Sequence, residues 1–137
     1  MRILGIDYGS RKIGLALTNS EGQFAAPHSV IINNHKTISI ICALIKEKEV
    51  EKIVVGKSLN FKREENPIMK KIVPFSEELR KITGLHVILW DETLTTAAAQ
   101  RTQEADTMLD ARAAALILES YITKKIPSEH PFFTKKK

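Results

Sequence analysis

The chain has very little cysteine and no long apolar run. Cys42 is its only cysteine, which excludes an intrachain disulfide and a zinc site built on cysteines. It falls in a helical pattern with Ile38, Ile41 and Ile45, which predicts a packed thiol and not a reactive one. No stretch approaches the roughly 18 apolar residues of a membrane-spanning helix, and Asp7 interrupts the apolar start too early for a secretion signal. We therefore expect a cytoplasmic protein with no membrane partner.

The charge balance is mildly basic. Lys and Arg number 21 against 16 Asp and Glu, which gives a net charge of +5. Such an excess favours a polyanionic partner. Part of it belongs to the tail Lys135-Lys136-Lys137, so composition alone does not establish nucleic-acid binding. The length fits one domain over residues 1–137, with a C-terminal tail from about residue 126 onward.

Apolar periodicity predicts an α/β chain in the order β-β-β-α-β-α-β-α. The strands centre on residues 3–6, 13–17, 24–32, 53–55 and 87–90. The helices are expected after Asn34, from Asn66-Pro67 to Gly84, from about Thr95, and from about Asp110 to Lys124. Within them, Thr37 is a candidate N-cap, Pro27 favours an edge position for the third strand, and Pro74 predicts a kink or a break.

The spacing of these elements predicts a topology. Strands 1, 4 and 5 are separated by helices and should run parallel with right-handed crossovers. Strands 2 and 3 follow strand 1 through short turns and should extend the sheet antiparallel. The expected product is a mixed five-stranded sheet of order 3-2-1-4-5 with helices on both faces.

This topology predicts where the chemistry lies. Ligands of open α/β sheets bind beyond the carboxyl ends of the parallel strands. Asp7, Lys57 and Glu92 follow those ends, and Asp110 can join them from the last helix. Carboxylate oxygens are the natural ligands of Mg²⁺ and suit Mn²⁺ as well. Two such ions, about 3.5–4 Å apart, could support phosphodiester hydrolysis.

Each acid also has a simpler interpretation. Asp7 could be a turn residue at the end of a strand, and Glu92 competes with Asp91 and with a role in starting the next helix. Asp110 could be an ordinary helix cap, and Asp106 could replace it. The four histidines (28, 35, 86 and 130) show no metal-ligand spacing.

Four motifs carry a family resemblance. They are Gly5-Ile6-Asp7-Tyr8-Gly9-Ser10 with Ile13-Gly14-Leu15-Ala16; Val54-Val55-Gly56 with Leu59-Asn60; Asp91-Glu92 with Leu94-Thr95-Thr96; and Asp110 with residues 113–121. In this order they resemble the Holliday-junction-resolvase-like family of pre-16S rRNA nucleases. The resemblance implies a ribonuclease-H-like fold and matches Asp7, Glu92 and Asp110 to the family's acidic, metal-holding catalytic positions. It implies trimming of the 5′ end of the small-subunit rRNA precursor or, by analogy, cleavage of branched DNA.

The sequence also departs from the family pattern. Lys57-Ser58 occupy positions where the family commonly has Leu-Pro. Thr93 occupies a position where Arg is common. Residues 102–107 form a short segment where relatives often carry a longer, basic loop. Fewer basic residues should weaken phosphate contacts. The side chains expected to contact nucleic acid are Arg11, Lys12, Lys57, Ser58, Asn60, Lys62 and Arg63.

Three functions stay open at this point. The first is an endonuclease on structured RNA, and the second is a module of the same fold that binds nucleic acid or protein without cutting. The third is a phosphotransferase of the actin and sugar-kinase type, which shares the Gly-Ile-Asp-x-Gly opening but needs a second domain. The sequence shows no self-complementary surface, so a homodimer also stays open.

Overall fold

The structure is a computed structural model that describes residues 1–57, 68–91 and 107–129. Its elements, numbered in chain order, are β1 Arg2–Tyr8, β2 Lys12–Thr18, β3 Ala25–Ile32, α1 Thr37–Lys48, β4 Val50–Lys57, α2 Met69–Thr83, β5 His86–Asp91 and α3 Leu109–Glu129. The helix predicted from about Thr95 lies outside the described residues.

The five strands form one sheet in the order β3-β2-β1-β4-β5. β1 pairs antiparallel with β2 and parallel with β4. β3 pairs antiparallel with β2, and β5 pairs parallel with β4. The predicted order and directions are confirmed. β3 is an edge strand as Pro27 predicted, and the β2–β3 register shifts between Leu15 and Ala16, next to Pro27.

One face of the sheet is covered by α1 and α2, and large side chains fill the space between them. Leu4 and Ile6 of β1 alternate with residues of the opposite face, as strand geometry requires, and both are fully buried. The cluster of large buried residues includes Ile13, Leu15, Ile41, Ile53, Val55, Ile72, Phe75 and Leu79. Burying each such side chain contributes about 1.5–3 kcal/mol, so this face holds most of the apolar core.

The other face is covered by α3, which lies close to the sheet because small residues separate them. The alanines of α3 that pack here include Ala111, Ala113 and Ala114, all fully buried. A Cβ on Gly5 would come within 2.5 Å of Leu118 Cγ, so only glycine fits that position of β1 without a shift of the helix. The predicted close packing of the alanine-rich helix face is confirmed.

Aromatic and polar contacts join α3 to the strand at the far edge. The indole N–H of Trp90 in β5 donates a hydrogen bond of 3.0 Å to Ser120 Oγ. Its ring meets that of Tyr121 edge-on, with 5.3 Å between ring centroids. Lys52 of β4 donates to the Tyr121 hydroxyl at 3.0 Å. These contacts fix the middle of α3 against β4 and β5.

The N-cap predicted for α1 and the break considered for α2 are both wrong, whereas a kink at Pro74 stays a prediction. Lys36 occupies the N-cap position of α1, with no side-chain cap, whereas the Thr37 hydroxyl accepts a hydrogen bond from the Asn34 N–H at 2.9 Å and so stabilises the preceding turn. α2 continues through Pro74 without a break, because Ile72, Phe75 and Leu79 on either side of Pro74 are buried against the sheet. Gly84 ends α2 as predicted, in the left-handed conformation.

Several element ends lie beyond their predicted positions. β1 includes Asp7 and ends at Tyr8, and β4 ends at Lys57. α3 runs to Glu129 and not to Lys124. In each case the prediction stopped where the apolar pattern stopped, whereas backbone hydrogen bonding continues for a few residues beyond it.

Candidate active site

Asp7 lies near the carboxyl end of β1, on the face that α3 covers. Strand alternation puts it on the same side as Ile3 and Gly5, both of which pack toward α3. Its side chain is only 4% exposed. Burying a carboxylate is costly unless it is paired or binds a cation. Such a residue at a strand end is a strong candidate for function.

Asp110 reaches the same place from the start of α3, and Gly14 makes this approach possible. Gly14 of β2 is the direct register partner of Asp7. A Cβ on Gly14 would overlap the Asp110 carbonyl and lie 2.8 Å from the Ala111 nitrogen. The missing side chain therefore lets the first turn of α3 rest on the sheet beside Asp7.

Both acids open onto one cavity of about 570 Å³. Its lining residues are Asp7, Tyr8, Gly9, Ser10, Arg11, Lys12 and Asp110. The two carboxylates come from β1 and α3. The two cations come from the turn between β1 and β2 (Arg11) and from the first residue of β2 (Lys12). Arg11 and Lys12 are exposed, so they can meet a phosphate, whereas Asp7 is buried. The cavity thus combines cationic side chains that can bind the phosphates of a nucleic acid with carboxylate oxygens that can bind a cation.

The donor set fits a divalent cation of the oxygen-loving kind. Asp7 and Asp110 supply carboxylate oxygens, which Mg²⁺ and Mn²⁺ accept. Within residues 1–57, 68–91 and 107–129, no group of three or more His, Cys, Asp or Glu side chains could hold a metal ion. The third acid of the predicted set, Glu92, lies outside those residues. It directly follows β5, whose last residue, Asp91, is level with Lys57 of β4.

The other predicted contact residues fall into three groups. Arg11 and Lys12 line the cavity, and their contact with nucleic acid stays a prediction. Lys57 is the last residue of β4. Four more lie outside the described residues: Ser58, Asn60, Lys62 and Arg63.

Some residues around the cavity were not predicted as site residues. Tyr8 lines the cavity and packs its ring on Phe75 of α2, with 4.7 Å between ring centroids. Gly14 admits the helix, and Asn33 contacts the turn that carries the cations. Alternation of large and small residues identified Gly14 as part of a strand, but no sequence pattern indicated what it faces.

A family model described as "RuvX: Holliday junction resolvase" matches residues 1–124. The chain belongs to this family. The match includes Asp7, Asp110, Arg11, Lys12 and all five strands of the sheet. The family resemblance that the four motifs carry is confirmed, and the chain is a member of a nuclease family.

Two similar relatives carry the name "Putative pre-16S rRNA nuclease". The protein from Syntrophus aciditrophicus is 37% identical over 143 residues, covering 94% of this chain and 95% of the relative. The protein from Clostridioides difficile is 36% identical, covering 93% of this chain and 97% of the relative. The alignments thus extend over nearly the full length of both proteins.

Solved structures confirm the fold. RuvC from Thermus thermophilus in complex with a Holliday junction substrate has a TM-score of 0.59 at 16% identity, covering 90% of this chain and 95% of that one. The fowlpox virus Holliday junction resolvase has a TM-score of 0.54 at 16% identity, covering 90% and 99%. The ribonuclease-H-like fold expected from the sequence is confirmed. Within the described part of the chain, no helix has the length and apolar character needed to cross a membrane.

Proposed function

We propose that this protein is a metal-dependent endonuclease that hydrolyses phosphodiester bonds in structured RNA, with the 5′ end of pre-16S rRNA as its substrate. Asp7, Glu92 and Asp110 are the proposed catalytic carboxylates, and they hold Mg²⁺ or Mn²⁺, with two ions as the expected number. The observation that carries the proposal is the shared cavity of Asp7 and Asp110, two acids far apart in sequence.

Each group in the cavity has a role in this proposal. Divalent ions, when bound, supply an activated water and stabilise the leaving oxygen of the phosphodiester. The carboxylates of Asp7 and Asp110 would hold those ions, and Gly14 lets the first turn of α3, which carries Asp110, approach Asp7. Arg11 and Lys12 hold the anionic backbone at the rim through charge-assisted contacts.

RNA is favoured over DNA by the names of the relatives, which cover almost the whole chain. Branched DNA is the alternative substrate, and the family description favours it. A homodimer would be expected for symmetric cleavage of a junction. A cleavage panel of 5′-extended 16S precursor, plain RNA duplex and four-way DNA junction separates these substrates.

The decisive variant is Asp7→Asn, which keeps the shape of the side chain and removes its charge. Because the proposed role is direct metal binding, cleavage should fall by at least about 100-fold in Mg²⁺ and in Mn²⁺. Circular dichroism and thermal unfolding should show a folded protein. Glu77→Gln is the matched control, since Glu77 is an exposed acid on α2 paired with Arg80; it should cleave like the wild type. Full activity of Asp7→Asn would refute the assignment.

Asp110→Asn separates catalysis from helix capping. An acid in the first turn of a helix contributes about 0.3–1 kcal/mol through the helix dipole. If that is its only role, the variant loses a little stability and keeps its cleavage rate. The proposal expects the reverse pattern, with a large loss of cleavage and a small loss of stability.

A non-cleaving binding module on the same fold is the second candidate. Thr93 and Lys57-Ser58 favour it, because they replace residues that are common in the family. Affinity for the 16S precursor with no turnover at any Mg²⁺ or Mn²⁺ concentration would establish this function instead.

A further inference from the structure

Asn33 joins the end of β3 to the turn between β1 and β2. Its side-chain Nδ2 donates a hydrogen bond of 2.9 Å to the Gly9 carbonyl. Its backbone N–H donates to the Arg11 carbonyl, also at 2.9 Å. One residue therefore holds the turn at two positions, on either side of Ser10.

The Asn33 side chain is itself held from the other direction. Its Oδ1 accepts a hydrogen bond of 3.3 Å from the Thr37 hydroxyl, and Thr37 is the first residue of α1 and is buried. The Ile32 carbonyl, at 3.4 Å, is a second acceptor within reach of the same hydroxyl proton. With Oδ1 on the side of Thr37, the amide directs its N–H toward Gly9. The contact thus connects the start of α1 to the turn through a chain of two hydrogen bonds.

The turn held in this way is the basic rim of the cavity. Gly9, Ser10, Arg11 and Lys12 all line it, and Arg11 and Lys12 are exposed. A long cationic side chain on a loose turn must be ordered when it binds phosphate, and that ordering reduces affinity. A turn fixed in advance avoids this cost.

We infer that Asn33 is a positioning residue for nucleic-acid binding, which fixes the β1–β2 turn so that Arg11 and Lys12 meet backbone phosphates at the cavity. This inference rests on the proposed function for its substrate. Asn33 itself contacts no reacting group. Its effect is expected in the dissociation constant and KM, with little change in kcat.

The test is a double-mutant cycle on affinity. All proteins carry Asp7→Asn so that cleavage does not interfere, and the probe is a fluorescein-labelled 5′-extended 16S precursor fragment followed by anisotropy. Asn33→Ala removes the bond to Gly9 and keeps the backbone bond to Arg11. Loss of one such hydrogen bond should raise Kd by about 3- to 10-fold. In the Arg11→Ala/Lys12→Ala background the same change should raise Kd less than about twofold, because coupled residues are not additive.

Equal effects in the two backgrounds would overturn the inference, because Asn33 would then act only on general stability. Asn33→Asp is the second variant should the alanine protein not fold; it keeps the side-chain shape and the Oδ1 acceptor but lacks the donor to Gly9. The matched control is Asn34→Ala. Asn34 is the exposed neighbour whose Oδ1 accepts from the Lys36 N–H at 2.8 Å, and its loss should leave Kd unchanged.

Salt dependence and kinetics give independent readouts. The slope of log Kd against log salt should become shallower in Asn33→Ala, because fewer phosphates are neutralised in the complex. In the cleaving protein the same variant should raise KM and keep kcat. Failure of the nuclease assignment would appear as absence of cleavage by the wild type at any Mg²⁺ or Mn²⁺ concentration, which leaves the affinity cycle untouched. Absence of RNA binding by the Asp7→Asn parent would overturn the inference.

Discussion

The two faces of the sheet differ in the size of the side chains that cover them. Under α1 and α2 the strands present large residues such as Leu4, Ile6 and Leu15. Under α3 they present Gly5 and Gly14 beside larger residues such as Ile3 and Val54. Large side chains keep a helix at the usual distance from the sheet, and small ones let the helix backbone approach it. The face with the closer helix is the one that carries the acids. We expect close packing on this face to position the proposed site, and the large side chains on the other face to supply most of the stability.

The first prediction concerns the bulky face, where we expect the largest free-energy effect. Leu79 of α2 is fully buried, and Leu79→Ala removes its packing and leaves a cavity. The free energy of unfolding should fall by about 2–5 kcal/mol, as measured by urea denaturation. Cleavage per folded molecule should not change below the unfolding temperature. A folded Leu79→Ala protein with lost activity would show that the bulky face also shapes the site.

The second prediction concerns the close-packed face. Gly14→Ala inserts a methyl group against the Asp110 carbonyl, so the first turn of α3 must move away from Asp7. Overpacking of this kind costs about 1–3 kcal/mol. Because displacing a catalytic group by about 1 Å can cost up to 100-fold in rate, cleavage should fall by about 10- to 100-fold. Rate measurements at saturating substrate, together with a Mn²⁺ titration, check this.

Gly5→Ala is the control for that experiment. Its Cβ would also meet α3, but further along the helix, 2.5 Å from Leu118 Cγ and 3.0 Å from the Ala114 carbonyl. The backbone contact is much less close than the overlap of a Gly14 Cβ with the Asp110 carbonyl, and a leucine side chain yields more easily than a backbone carbonyl. We expect a loss of stability with a much smaller loss of rate. Equal losses of rate in the two variants would contradict a specific role for Gly14.

The smallest effect is expected for the reactivity of the Cys42 thiol, which lies on α1. Burial raises the pKa of the Cys42 thiol above the ordinary value of 9.0. The negative charge of Glu78 raises this pKa further, and the positive charge of Lys46 lowers it in part. At neutral pH the thiolate fraction is therefore lower than in the unfolded chain, and alkylation by iodoacetamide should be slower than in urea. Since the folded-state pKa is raised, the stability linked to this thiol is present below pH 9.0 and is lost as the pH rises through the folded pKa. Faster alkylation in the folded protein would contradict this.

The sequence predicted the architecture because the architecture follows from local patterns. Short turns predicted the antiparallel strands, intervening helices predicted the parallel ones, and the resulting order brought Asp7 to the site edge. The local errors arose where tertiary contacts outweigh propensity. The Thr37 side chain hydrogen-bonds within the turn before α1 and does not cap the helix. The buried residues on both sides of Pro74 keep α2 continuous.

The site was only partly predictable. Asp7 could be recognised because an acid at the end of a buried strand is unusual. Asp110 could not be separated from an ordinary helix cap, since the distinction depends on what Gly14 faces across the interface. No sequence pattern indicated a role for Asn33, because asparagine is common in turns. Its two hydrogen bonds to Gly9 and Arg11 also join residues more than twenty positions apart in the chain.

Trp90 gives the molecule a built-in optical reporter. It is the only tryptophan in the chain, and its indole N–H binds Ser120 of α3. Indole emission depends on polarity and hydrogen bonding, so undocking of α3 would change the fluorescence of this single chromophore. α3 also carries Asp110. Intrinsic fluorescence can therefore follow, without any label, the helix on which the proposed catalytic geometry depends.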